Sequence, residues 1–400
     1  MIYKQYKDLK LSALGFGAMR LPWMNDNSGR VDQEAVEKMI DYAMANGVNY
    51  YDTAYPYMNS LSEGSIGKAL SRYPRDSWYL ATKYPGHQNA KGAAMLDPKA
   101  VFEDQLEKCG VEYFDFYLMH NINENSLRFY CQEDISYFDY FVEQKKNGRI
   151  KHLGFSAHSD LAGMKQFMAL YGEHMEFCQI QLNYLDWTLQ KAKEKVEYLN
   201  SINMPIWVME PVRGGKLAKL DEATEAKMRE LRPEESTAAW AFRWLQTVPQ
   251  PTMVLSGMTW FAQVEDNVKT FSDDKPLNEE ELSLLYTAAD KFATLVPCTA
   301  CRYCCDGCPA GLDIPNLITL HNDLLMGYNI NIPIRYGAFD TDTRADSCIG
   351  CGQCTNACPQ NIDVPSVLAD FAEKMSKMDD WDSICRTRNA IAAEMLANKK

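Results

Sequence analysis

The segment LGFGAMRLPW, Leu14–Trp23, sets two glycines two residues apart directly after an apolar start. Two α/β architectures begin this way, and they differ in the residues after the glycines. An open, doubly wound sheet carries G-x-G-x-x-G in the turn after its first strand, where bare backbone approaches a diphosphate. GFGAMRLPW does not fit that pattern. The alternative is a strand that opens a longer series. LGFGAMR (Leu14–Arg20) is followed by NYYDTA (Asn49–Ala54), WYLATKY (Trp78–Tyr84), FDFYLMH (Phe114–His120), IKHLGFS (Ile150–Ser156), CQIQLN (Cys178–Asn183), MPIWVMEP (Met204–Pro211) and TMVLSGM (Thr252–Met258). These are apolar, β-branched or aromatic runs of strand length. Between and after them lie amphipathic segments of helical length: Asp32–Ala45, Ser62–Leu70, Lys99–Cys109, Ile135–Lys146, Leu161–Tyr171, Leu189–Leu199, Pro233–Leu245 and Trp260–Phe271.

Eight strand–helix units predict an α/β protein, a closed (β/α)8 TIM barrel over residues 1–275. LNEEELSLLYTAADKFA reads as a connecting helix over 276–292, with Asn278 as N-cap and acidic residues in its first turn. Composition then shifts to Cys, Pro and Gly. Residues 293–372 are read as a small α-helical domain, and 373–400, ending NAIAAEMLANKK, as a helical tail.

The 400 residues are 46% hydrophobic and 24% charged, an ordinary globular composition. The net charge of -13 and the absence of a basic tract argue against nucleic acid as a partner. MIYKQYKDLK lacks a signal-peptide core, and no apolar run is long enough to cross a bilayer. A soluble, cytoplasmic protein is expected. Thirteen cysteines in such a chain do not read as a disulfide framework. Cys109, Cys131 and Cys178 are scattered, Cys385 stands alone, and nine lie between Cys298 and Cys358.

Those nine contain a repeat. CTACRYCCDGCPAGLDIP and CIGCGQCTNACPQNIDVP superimpose with an offset of 50 residues. Cys298, Cys301, Cys304 and Cys308 align with Cys348, Cys351, Cys354 and Cys358; Pro309 aligns with Pro359 and Asp313 with Asp363. Both copies read C-x2-C-x2-C-x3-C-P, the spacing that binds 4Fe–4S cubanes. Eight thiolates could instead form two zinc sites, but those usually pair C-x2-C knuckles across a longer gap. Over about 70 residues the stretch resembles the two-cluster bacterial ferredoxins. That spacing implies that each fourth cysteine ligates the other cluster. One set is then Cys298, Cys301, Cys304 and Cys358, and the other Cys348, Cys351, Cys354 and Cys308. Thr355 stands opposite Cys305, which is therefore left out.

In the barrel, Asp52 ends the second strand, Tyr57 lies in the loop after it, Lys83 ends the third strand and His120 the fourth. Strand ends of a parallel barrel share one face. A Tyr, Lys, Asp and His there suit proton transfer to a carbonyl oxygen. A nearby lysine cation is expected to lower the phenol from its ordinary pKa near 10, with aspartate anchoring the lysine. The ordered set D-x4-Y, T-K and M-H, with LSALGFGAMRLP, resembles the aldo-keto reductases over residues 1–275. The resemblance implies Tyr57 as general acid/base tuned by Lys83 and Asp52, with His120 orienting the carbonyl of a small-molecule carbonyl or alcohol substrate.

It further implies an extended NADP(H) or NAD(H) held by the last strands and loops. Ser156 and Gln179 fall near the carboxamide. Arg213, Gly214, Gly215, Ser256, Gly257 and Met258 fall near the phosphates and adenosine, and Gln263 and Asn267 near the adenine half. The chain departs from the family in Ala157, where asparagine is usual, and in Met209, where an aromatic commonly stacks. Flavin is not excluded. Three roles stay open for the clusters: electron transfer with a ferredoxin or flavoprotein partner, a structural staple, or an oxygen sensor. A barrel without catalysis, serving as an electron carrier or scaffold, is the remaining alternative.

Overall fold

The computed structural model describes residues 1–25, 29–86, 96–123, 126–131, 137–292, 295–298, 300–325, 328, 331–380 and 383. The chain divides into two compact units, Met1–Asp290 and Lys291–Lys400. The first begins with an antiparallel hairpin, β1 (Tyr3–Tyr6) and β2 (Leu9–Ser12). The strands β3 (Leu14–Gly17), β4 (Tyr50–Asp52), β5 (Tyr79–Tyr84), β6 (Phe114–Ile122), β7 (Ile150–Ala157), β8 (Cys178–Gln181), β9 (Ile206–Met209) and β10 (Pro251–Gly257) come after it. These eight are parallel to their neighbours and form a closed barrel in which β10 pairs with β3.

Each barrel strand overlaps its expected run, but several are shorter. The first ends at Gly17, and Ala18–Arg20 turns into a 3-10 helix. The opening glycines serve the barrel wall. A Cβ on Gly15 would lie 2.6 Å from Leu255 and 2.9 Å from the Met253 sulfur, inside the barrel. The interior mixes aromatics with Leu118, Met253 and Leu255, where branched aliphatics usually dominate. Tyr50 and Trp207 pack on Phe116 with ring centroids 5.0 and 5.7 Å away.

The hairpin is an addition to the expected series. It plugs the N-terminal end of the barrel: Tyr6 meets Trp207 and His152 edge-on at 5.0 and 5.1 Å, and Leu11 is fully buried. Glu176 clamps it. Its carboxylate pairs with Lys7 of the hairpin, with Lys145, and with His152 Nδ1 at 2.9 Å. These partners hold its carboxyl well below the usual carboxylate range, although burial opposes them. A depressed folded pKa adds stability above the unfolded value of about 4.3, which is lost as pH falls below it. Glu176→Gln is therefore expected to destabilise the barrel by about 1–2 kcal/mol at pH 7. Urea melts should show the gap between variant and parent narrowing below about pH 4.

The helices also match the expected series, with shifted ends. Thr237–Thr247 begins four residues after Pro233 because Ser236 is the cap, its side chain accepting from Ala239 N–H. Ala192–Ser201 replaces Leu189–Leu199, after a short turn of helix at Asp186–Leu189. Glu222–Leu231 is an additional helix with few buried side chains. Glu279–Asp290 carries a reciprocal cap: Asn278 Oδ1 accepts from Glu281 N–H at 3.0 Å, and Glu281 Oε2 accepts from Asn278 N–H at 2.8 Å.

The second unit is helical, with Ile314–Leu325, Asn331–Gly337, Gln353–Ala357 and Val364–Ser376. Its small core gathers Leu317, Ile318, Leu320, Leu368 and Phe371 with the thiols of Cys304, Cys354 and Cys358. The expected tail begins inside helix Val364–Ser376; its residues from 384 on, with Cys385, lie outside the described residues. Among those described, no helix is long and apolar enough to cross a membrane.

Candidate active site and cluster-binding site

Asp52, Lys83 and His120 stand toward the C-terminal ends of β4, β5 and β6, and the loop after β4 brings Tyr57 to them. That loop turns sharply: Met58, Asn59 and Ser60 have φ of 55°, 55° and 64° before helix Ser62–Leu70 begins. Lys83 is fully buried. Its Nζ donates to Asp52 Oδ1 at 2.6 Å and to the Thr53 carbonyl at 2.7 Å, and lies 4.9 Å from the centre of the Tyr57 ring. Tyr57 meets the His120 imidazole edge-on at 5.7 Å. The structure thus brings all four residues together. Burial pushes the Lys83 amine down and the Asp52 carboxyl up, and the pair's mutual attraction opposes both shifts.

Behind the lysine lies a second polar layer. Glu63, fully buried, accepts from Thr82 Oγ1 at 2.6 Å and from Gln105 Nε2 at 2.7 Å. Gln105 also donates to the Lys83 carbonyl at 3.1 Å and accepts from the Tyr117 hydroxyl at 2.6 Å. These bonds fix the backbone that carries Lys83. Tyr130 does the same for His120, donating its hydroxyl to the His120 carbonyl at 2.8 Å.

One electrostatic expectation changes. The Tyr57 phenol is pushed well above its ordinary value, first by burial, then by the Asp52 and Glu210 carboxylates; Arg20 is the cation that opposes them. Lys83 bonds to Asp52 and Thr53, so it does not stand as a free charge beside the phenol. Tyr57 is held protonated. Sequence reasoning singled out neither Arg20 nor Glu210. Arg20 ends the 3-10 turn after β3, and its carbonyl accepts from Thr259 Oγ1 at 2.8 Å. Its Nη2 lies 3.2 Å from where a Cβ on Gly214 would sit, and Glu210 Oε2 lies 3.8 Å from that point. Gly214 has φ 65°, so a side chain there would be strained as well as crowded.

The expected nucleotide contacts divide. Ser156 pairs in register with Gln179, and both are buried. Gln179 Nε2 contacts the Met209 sulfur at 3.6 Å, and its Oε1 is buried without a partner among the described residues. An unpaired buried acceptor beside Ser156 fits an amide-bearing ligand such as nicotinamide. Ser256 accepts from Asn267 Nδ2 at 2.9 Å, while Gly257 is exposed and Met258 buried. Gln263 caps its helix, accepting from the Thr259 and Trp260 N–H groups at 2.8 and 3.0 Å. Gly215, at φ 95°, has open space where a Cβ would project. Arg213 is turned inward: it is 3% exposed, and its Nε is 3.2 Å from Asp186.

In the second unit the two cysteine repeats line two hollows. One is bordered by Cys298, Cys301, Cys304 and Cys358, with Ile318, Ile362 and Val364. The other is bordered by Cys308, Cys348, Cys351 and Cys354, with Leu312, Ile314 and Leu368. Each hollow takes three thiols from one copy and the fourth from the other. Four thiols in an apolar shell fit a 4Fe–4S cubane. Cys305 borders neither hollow.

Comparison with known proteins agrees with this architecture. The model of the aldo/keto reductase family matches residues 13–289, and that of the 4Fe-4S dicluster domain matches residues 297–363. A probable aldo-keto reductase of Glycine max is 26% identical over 211 residues, covering 52% of this chain and 57% of that protein. L-galactose dehydrogenase of Arabidopsis thaliana is 23% identical over 301 residues, covering 69% and 89%. Among solved structures, an aldo-keto reductase from Bacillus halodurans is 24% identical with a TM-score of 0.57, covering 72% of this chain and 96% of that one. One from Klebsiella pneumoniae, solved in complex with NADPH, is 19% identical with a TM-score of 0.56, over 72% and 96%. With a family match across most of its length and an Asp–Lys–Tyr–His set at the mouth of a parallel barrel, the chain belongs to the aldo/keto reductase family, an oxidoreductase barrel joined to a domain for two 4Fe–4S clusters.

Proposed function

We propose that the barrel reduces the carbonyl of a small molecule with NADPH or NADH, Tyr57 acting as general acid. The observation that carries this reading is the position of Tyr57: a half-buried phenol, edge-on to His120 and beside the Lys83–Asp52 pair, with its pKa raised rather than lowered. A protonated phenol is the form needed to deliver a proton to an oxygen gaining charge. His120 orients that oxygen, and the Lys83–Asp52 pair holds the floor of the site. Bound nicotinamide would supply the hydride. Gln179, with an unpaired acceptor, and Ser156 are the residues that would hold its ring in place.

The two clusters would exchange single electrons with a ferredoxin or flavoprotein partner. The exposed Cys351 and the 69% exposed Ile349 support this role, because they leave one hollow close to the unit's surface. The ligands are Cys298, Cys301, Cys304 and Cys358 for one cluster, and Cys308, Cys348, Cys351 and Cys354 for the other. Anaerobic purification tests both halves of the reading. About eight irons per chain and a dithionite-bleachable absorbance are expected, as two cubanes require. Any nucleotide that co-purifies should be a nicotinamide. Stoichiometric zinc would overturn the cluster assignment, and a tightly bound flavin alone would overturn the nicotinamide one.

A further inference from the structure

Asn121 comes directly after His120 on β6, in a conformation that asparagine tolerates better than most residues, with φ 59°. The pairing of β6 with β7 shifts register between Met119 and Ile122, a bulge around this residue. In a regular strand Asn121 would face away from the side that His120 faces. A bulge re-aims such a side chain, and bulges cluster beside active sites.

Its surroundings are built to hold one orientation. Asn121 is fully buried, and its N–H donates to Ser156 Oγ at 2.8 Å. Its carbonyl accepts from Ser126 Oγ at 2.8 Å and from Asn123 Nδ2 at 3.2 Å. Asn123 Nδ2 also donates to Asn121 Oδ1 at 3.0 Å. The side-chain oxygen is thereby engaged and the amide nitrogen left over. Asn121 Nδ2 is enclosed without a partner among the described residues. Leaving such a donor unmet is costly.

Gln179, two strands away, shows the reverse, a buried acceptor without a donor. Ser156 links the two, because it pairs in register with Gln179 and accepts the Asn121 N–H. Across β6, β7 and β8 the order is donor, hydroxyl, acceptor. A primary carboxamide offers the complement, one carbonyl oxygen and one NH2 group.

We propose that Asn121 joins Gln179 at the nicotinamide carboxamide, its Nδ2 donating to the carboxamide oxygen while Gln179, already read as holding the ring, accepts from the nitrogen. This rests on the nicotinamide reading above. Ala157 offers no polar side chain beside Ser156, so the donor comes from the neighbouring strand.

The test is equilibrium binding to the anaerobic, cluster-loaded protein, read by nucleotide fluorescence or calorimetry. Asn121→Gly keeps the left-handed backbone and removes the amide. It is expected to weaken NADPH by about tenfold or more while leaving 2′,5′-ADP, which lacks the nicotinamide, within about twofold. Asn121→Asp, an acceptor facing an acceptor, should weaken NADPH further. In the parent protein, the reduced 3-acetylpyridine analogue keeps the oxygen but lacks the NH2. It should bind more weakly than NADPH, and Asn121→Gly should weaken it by the same factor. Unchanged NADPH affinity in Asn121→Gly overturns the inference alone. No NADPH binding by the parent protein overturns the nicotinamide reading beneath it.

Discussion

Tyr57→Phe is expected to lower kcat for carbonyl reduction by about 10²–10⁴-fold, the usual contribution of a positioned acid, with nucleotide affinity nearly unchanged. The phenylalanine keeps the ring against His120 and removes only the transferable proton. The pH profile carries the second half of the prediction. Because the phenol lies well above its ordinary value of about 10, the reductive rate should not fall through ionisation of Tyr57 between pH 7 and 10. A lysine-lowered phenol would make the rate fall within that range. A loss that tracks a single ionisation near pH 8, absent in Tyr57→Phe, would sink the assignment of a held phenol. Residual turnover equal to the parent would sink the catalytic role itself.

Loss of one cluster is expected to unfold much of the second unit and leave the barrel intact. The thiols of Cys304, Cys354 and Cys358 are buried in its only described core, whose helices are 5–13 residues long. In so small a unit, binding energy of the metal centre is folding energy. Cys354→Ser should reduce iron by about half or more. Hydrogen exchange should then lose protection at Leu317, Leu320 and Phe371 while Phe116 and Leu118 keep theirs. Full iron with unchanged cluster spectra in Cys354→Ser would rule Cys354 out as a ligand. Common loss of protection in both units would show that they do not fold separately. Pairing is tested by electron paramagnetic resonance of single variants. Cys308→Ser should alter the same signal as Cys348→Ser, and Cys358→Ser the same signal as Cys298→Ser.

What could be read from the chain depended on length and periodicity. Runs such as Phe114–His120 and Ile150–Ser156 are apolar and long enough to declare themselves, and their strands appear where expected. The hairpin Tyr3–Tyr6 and Leu9–Ser12 has two strands of four residues whose outer side chains are exposed, so no alternating pattern accumulates. Glu222–Leu231 buries only Thr224 and Met228, too few apolar positions to mark a helical face; its visible signal is the Asp221 cap. The Asp52, Tyr57, Lys83 and His120 set was legible because each lies toward the end of a strand or in the loop after it. Arg20 and Glu210 were not, because they act on Tyr57 through space and come from strands distant in sequence. Arg213 shows the same limit in reverse. The resemblance put this basic residue near the phosphates, and only packing reveals Asp186 beside it.

The crossed lining of the two hollows also bears on how this domain arose. Neither 18-residue copy of the repeat surrounds a hollow alone, since each contributes three thiols to one and the fourth to the other. A lone ancestral copy would have been incomplete as a monomer and closed by a second copy of itself, each chain lending its last cysteine to the other. Duplication within one chain turns that exchange between molecules into a single-chain interlock. The two halves are thereafter bound to evolve together, because deleting either opens both sites.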